Sequence, residues 1–118
     1  MKGTYVLFLR LYEDLDVEVG SLGPARFEKG LYAYVGSAFG SGGFKRIERH
    51  LEVSRGLNGS RHWHIDYLLG RDCSCVVSVL RVPEKRVECE LNHRIDGDKV
   101  EGFGSSDCGC SSHLTFLG

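Results

Sequence analysis

The chain has 118 residues, 42% hydrophobic and 26% charged, which is the length of one domain with enough apolar material for a core. Those figures exclude intrinsic disorder, and no apolar run reaches the roughly 18–20 residues that cross a bilayer. The formal net charge of −1 gives no overall pull on a polyanion, so a phosphate partner would have to be recognised by a local field.

The N-terminal apolar run is broken by Arg10 and no small-residue cleavage site follows. A strand is therefore expected there rather than a secretion signal, within a single cytoplasmic domain over 1–118. Thr4 to Leu11 (TYVLFLRL) is rich in strand-favouring residues. Past the acidic turn at Glu13 and Asp14, alternating stretches flank Gly20-Ser21-Leu22-Gly23-Pro24 and predict a small hairpin. Gly30 opens a further strand, LYAYVGSA, and the close spacing of these pieces predicts an antiparallel meander. After the glycine-serine loop at Gly40 to Gly43 the period changes. Phe44, Ile47 and Leu51 recur at helical spacing up to Gly56, a C-terminal stop. Arg46 and His50 fall on one flank of that stripe, Glu48 and Glu52 on the other.

A second helix is expected to include His64 to Leu69, with Ile65, Leu68 and Leu69 apolar, and Cys75 to Val82 (CVVSVLRV) predicts a strand. Pro83 suits the start of a third helix, where its missing N–H costs little. Val87, Leu91 and Ile95 form that helix's apolar stripe, with Glu88 and Glu90 on opposite flanks and Asp96-Gly97-Asp98 as its end. The tail reads as a glycine-serine-cysteine loop and a short closing strand. The order predicts an α/β (α+β) fold, a small mixed and mainly antiparallel sheet flanked by helices.

Charge is unevenly spread. From Gly40 to His64, Lys45, Arg46, Arg49, Arg55 and Arg61 face only Glu48 and Glu52, whereas the stretch from Tyr12 to Glu28 is acidic. Five cysteines, Cys73, Cys75, Cys89, Cys108 and Cys110, include two C-x-C pairs. Reduced thiols are the default without a secretion signal. Residues i and i+2 share a strand face, so four thiolates in these pairs offer a Zn²⁺ site, but structural zinc ligands are usually spaced C-x₂₋₄-C. Small buried hydrophobes are the favoured reading of the cysteines. Tyr5 and Tyr34, on neighbouring predicted strands, can bring their hydroxyls into one cleft, and Gly36 allows close backbone approach to a ligand.

GTYVL, AYVGSA, RIERHL and ECEL, in that order, resemble the GIY-YIG nuclease family. GTY stands for GIY, YVG for YIG, Arg46 and His50 for the family's R-x-x-x-H helix, and Glu88 with Leu91 for its E-x-x-L. The hairpin between the triplets, HWHIDYLL and the tail GFGSSDCGCSSHL are similar to the Uri-type endonuclease branch. The resemblance implies hydrolysis of DNA phosphodiesters with one divalent ion, Mg²⁺ or Mn²⁺, held by Glu88 rather than Glu90. It implies Arg46 on the scissile phosphate, Tyr5 and Tyr34 positioning or deprotonating the attacking water, and His50 assisting proton transfer or holding the phosphate. Gly36, Ser37, Lys45, Arg49 and His64 are the expected DNA contacts, with a homodimer or partner protein supplying specificity. The asparagine that many members carry after the glutamate has no counterpart: Asn92 sits on the wrong helical position, and Ser105, Ser106 and Asp107 only occupy the region. Trp63 reads as core, and His62 and His113 receive no role. The alternatives are a catalytically inactive nucleic-acid-binding module of the same fold and a thiol-coordinated zinc protein.

Overall fold

A strand apolar on both faces has to sit inside a sheet that is covered on both sides, and the first strand meets that description. In the computed structural model, β1 (Gly3–Leu11) is buried along nearly its whole length. The structure describes residues 2–40, 42–59, 64–100, 102–103 and 112–118. Arg61, His62, Trp63, Ser105, Ser106, Asp107, Cys108 and Cys110 lie outside them.

The remaining elements are β2 (Leu15–Val19), β3 (Gly23–Phe27), β4 (Gly30–Ala38), α1 (Lys45–Ser54), α2 (His64–Leu69), β5 (Ser74–Pro83), α3 (Glu88–Arg94), β6 (Asp98–Lys99) and β7 (Leu114–Phe116). The main sheet has the order β5-β1-β4-β7-β6, and every pairing in it is antiparallel. The expected α+β class with a mainly antiparallel sheet is what the chain forms.

The expected meander is not. β2 and β3 pair only with each other, as a separate two-stranded sheet, and β1 takes β4 and β5 as neighbours. Burial explains the choice. The hairpin buries Leu15, Val19 and Phe27 while exposing Asp16, Glu18 and Arg26, with Arg26 Nη1 3.0 Å from Asp16 Oδ2. Such a strand pair can cover a core on one face but cannot lie inside one.

Strand alternation gives the main sheet two different faces. Tyr5, Leu7, Leu9 and Leu11 from β1, with Tyr32, Tyr34 and Ala38 from β4, form the larger core with Ile47 and Val53 of α1 and Ile65, Leu68 and Leu69 of α2. On the opposite face, Val6, Ala33 and Val35 meet Phe8, Leu91, Ile95 and Leu117, so α3 packs there.

Two expectations about the second half are corrected. Pro83 ends β5, paired with Gly3, instead of opening a helix. An edge strand tolerates a missing N–H on its open side, and β5 is an edge. The chain then turns through Glu84 (φ 63°), and α3 starts only at Glu88 and ends before Ile95, which is extended. The described cysteines are not buried hydrophobes: Cys75 is exposed on the edge strand, and Cys73 and Cys89 are half-buried. Among the described residues no helix is long and apolar enough to cross a membrane.

Candidate active site

The register of the two central strands builds the site. Tyr5 pairs with Gly36 and Leu7 with Tyr34, so both tyrosines project from the same face, their ring centroids 6.4 Å apart. An added Cβ at Gly36 would lie 2.3 Å from Tyr5 Cζ. The glycine's empty side is therefore filled by the Tyr5 ring, so the absence of a side chain at Gly36 seats that tyrosine. α1 supplies the third ring: His50 lies 5.7 Å from Tyr5 and 6.4 Å from Tyr34, centroid to centroid. Tyr5 Oη and His50 Nε2 are 2.7 Å apart.

His50 is expected from the sequence on a flank of its helix, yet it is 1% exposed and buried beside Ile47 and Val53. Arg46, one turn earlier, is half-buried, and its Nη1 donates to the Ser37 carbonyl. The Arg46 guanidinium also sits close enough to the Tyr5 phenol to lower its pKa, but burial and then Tyr34 act more strongly in the other direction. Tyr5 is held well above the usual tyrosine value. It is thus a protonated phenol at neutral pH, able to act on water only if its own proton has somewhere to go.

Behind His50 stands a residue that sequence reasoning missed. Asp66 of α2 is 0% exposed, with Oδ1 3.4 Å from His50 Nδ1 and Oδ2 3.2 Å from Arg49 Nη2. His50 Nδ1 makes no hydrogen bond of good geometry among the described residues. Asp66 lies at the edge of the stripe Ile65, Leu68 and Leu69, where a solvated carboxylate is the ordinary reading. Only the docking of α1 across α2 shows that it is buried. The available signal was the pair Arg49 and His50, two potential partners on the neighbouring helix.

Glu88 lies on the other side of the sheet. Its Oε2 is 3.4 Å from the hydroxyl of Thr4, which also donates to the Lys85 carbonyl and accepts from the Val87 N–H. Thr4 precedes Tyr5 and faces the opposite way, so Glu88 approaches the same end of β1 without touching the tyrosines. Arg86, stacked 4.1 Å over the Phe39 ring, ties the segment before α3 to the chain just past β4. Glu90 is 63% exposed and 3.9 Å from Arg94.

Among the described residues no three His, Cys, Asp or Glu side chains form a cluster that could cage a metal. A single half-buried carboxylate suits a hard cation that keeps most of its waters and shares substrate phosphates, which is the habit of Mg²⁺. Glu88 fits such an ion. Asn92 is buried and structural: its Nδ2 donates to the Ser112 carbonyl, and its Oδ1 accepts from Lys99. His113 is also buried, with Nδ1 3.1 Å from the Val35 carbonyl and Nε2 3.9 Å from Cys89 Sγ.

The expected DNA contacts divide. Lys45 is exposed at the start of α1, and Ser37 offers its carbonyl to Arg46. Arg49 is engaged with Asp66 and only 26% exposed. His64 packs 5.5 Å from the Phe103 ring, and burial lowers its pKa. Comparison with curated proteins found no match, and comparison with solved structures found none either. The model of the family described as "Domain of unknown function DUF123" matches residues 4–118, and the chain belongs to that family.

Proposed function

We propose that the chain is a cytoplasmic endonuclease of GIY-YIG type, of the Uri-like branch, which hydrolyses DNA phosphodiesters with the help of one divalent ion. The observation that carries the reading is the Tyr5 hydroxyl 2.7 Å from His50 Nε2, with the Arg46 guanidinium beside the same phenol. A proton donor, a proton acceptor and a permanent cation meet on one face of the sheet, and the half-buried Glu88 reaches the same end of β1 from the other face. Simple binding of nucleic acid needs phosphate-facing cations, not a buried phenol–imidazole pair.

In this reading Arg46 faces the scissile phosphate, because its planar fork matches phosphate oxygens and keeps its charge. Tyr34 positions the attacking water. Tyr5, protonated at rest, takes a proton from that water as it passes its own to His50 Nε2. The water oxygen forms a bond to phosphorus, one P–O ester bond breaks, and the leaving oxygen takes a proton from solvent. Mg²⁺ or Mn²⁺ on Glu88 would supply charge stabilisation at the phosphate and its leaving oxygen. Lys45 adds a phosphate contact, and a homodimer or partner protein supplies the sequence or shape preference.

The deciding experiment is cleavage of varied DNA structures in Mg²⁺ or Mn²⁺ by wild type beside single variants. Arg46→Ala and Glu88→Ala should each lose on the order of 10²-fold or more. Tyr34→Phe should lose less, and Glu90→Ala should cut like wild type. Cutting that survives the first three substitutions would belong to a contaminant. DNA binding without cutting in either metal would make the chain a binding module.

A further inference from the structure

We propose that Asp66 is a positioning residue for His50, fixing the imidazole with its proton on Nδ1 so that bare Nε2 can take the Tyr5 proton. The kinetic part of this inference rests on the nuclease reading above; the structural part does not.

At 2.7 Å the Tyr5 hydroxyl donates to Nε2 only if Nε2 carries no proton, which in a neutral imidazole requires the proton on Nδ1. Nothing in the Tyr5–His50 pair itself selects that tautomer, since an Nε2–H could equally donate to the phenol oxygen. The selection has to come from the far side of the ring. There Asp66 Oδ1 faces Nδ1 at 3.4 Å, an acceptor with no proton of its own when ionised. The distance is longer than a good hydrogen bond, as resting catalytic contacts often are before substrate tightens them.

Burial makes the arrangement consequential. His50 and Asp66 are 1% and 0% exposed, so bulk solvent does not screen the contact between them. Arg49, 3.2 Å from Asp66 Oδ2, gives the buried carboxylate the counter-charge that such a group requires. When the Tyr5 proton arrives on Nε2, His50 becomes an imidazolium lodged between a phenol and a carboxylate. Asp66 then stabilises that cation without itself taking the proton, as the carboxylate of a hydrolase triad does. The proton leaves to solvent once the cleaved DNA departs, which restores the resting tautomer.

The test uses the full chain with ¹⁵N-labelled histidine, read by NMR, alongside steady-state cleavage. Wild type should show His50 with the proton on Nδ1 and Nε2 unprotonated. In Asp66→Asn the side-chain amide can donate to Nδ1, so the proton should move to Nε2. The kcat should then fall on the order of 10³-fold, with KM and DNA affinity little changed, and Asp66→Glu should recover part of the loss. A merely structural aspartate would move neither the tautomer nor the kcat-against-KM split. Wild-type His50 with its proton on Nε2 overturns the proposal, and so does Asp66→Asn cutting at close to the wild-type rate. Should the variant fail to fold, the wild-type tautomer alone decides the matter. Should the wild type cut no DNA, the nuclease reading falls while the tautomer still decides whether Asp66 orients His50.

Discussion

The two faces of the main sheet handle polar groups in opposite ways. Under α1 and α2, Tyr5, His50 and Asp66 are buried, with Tyr5 hydrogen-bonded to His50 and Asp66 Oδ1 3.4 Å behind the imidazole. Under α3, Thr4 is buried but opens onto Glu88, whose carboxylate is only half-buried. The first arrangement suits proton transfer, because a proton between dry, fixed partners has few places to go and low dielectric strengthens each contact. The second suits a hydrated cation, which needs a ligand but also room for its waters. Strand alternation lets consecutive residues, Thr4 and Tyr5, serve one face each. The division of labour thus starts in the pleat of β1.

The sharpest way to break the closed face is Gly36→Ala. The added Cβ would lie 2.3 Å from Tyr5 Cζ and 2.4 Å from its Oη. A flexible side chain would swing aside, but Tyr5 is 1% exposed and bonded to His50. Either the ring or the β1–β4 ladder must give, at a cost of about 3 kcal/mol, the upper end of ordinary overpacking. Denaturant unfolding should show that drop, and cleavage should fall with it because the Tyr5–His50 contact is displaced. An alanine variant of wild-type stability would show that the ring is not wedged against this backbone.

The open face breaks more gently. Lys99 Nζ donates to the carbonyls of Asn92 (2.7 Å) and Ile95 (3.2 Å), to Asn92 Oδ1 (3.3 Å) and to Thr115 Oγ1 (2.6 Å). An ammonium among the last carbonyls of α3 satisfies groups that a helix end leaves bare and sits well against the helix dipole. It also ties α3 to β7. Lys99→Met keeps the stem and removes the cation, so a loss of about 1–2 kcal/mol is expected. Divalent-ion binding should weaken as α3 loosens, whereas the His50 tautomer on the far face should stay as it is. A change in that tautomer would mean that the two faces are coupled and the comparison is too simple.

Legibility in the sequence followed the same division. Elements with a strong period were readable: the central strands from their apolar runs, α1 from Phe44, Ile47 and Leu51, and α2 at its observed bounds. Sheet order was not, because nothing local says that the hairpin leaves the main sheet. That outcome depends on which faces are already covered. Of the site, the tyrosine pair and Arg46 were readable from triplets and spacing, but the burial of His50 was not, since a helical wheel cannot know what docks on its flank. Asp66 was invisible for the same reason. Arg49 reads as a DNA contact in the sequence because a basic residue beside others looks solvated until its carboxylate partner arrives from another helix.

The smallest effect is one of pH, and it separates the phenols of the larger core from the rest of the chain. Burial raises the pKa of Tyr5 well above the usual value and that of Tyr32 to about 12. In the unfolded chain both titrate near 10. Below that value folded and unfolded states hold the same phenolic protons, so these groups leave stability independent of pH. Above it the unfolded chain gives up protons that the folded chain retains, and ionisation draws the equilibrium toward unfolding. Stability should therefore be level from pH 8 to about 9 and decline beyond about 10. Tyr5→Phe should lower the whole curve by the lost bond to His50 while making the alkaline decline shallower. Tyr32→Phe should do the same to the decline through the other phenol, whose hydroxyl donates to the Glu28 carbonyl at 2.6 Å. Urea midpoints at pH 8 and pH 11 for the three proteins are enough. An undiminished alkaline decline in Tyr5→Phe would mean that this phenol ionises freely in the folded chain, and the closed face would then be open to water after all.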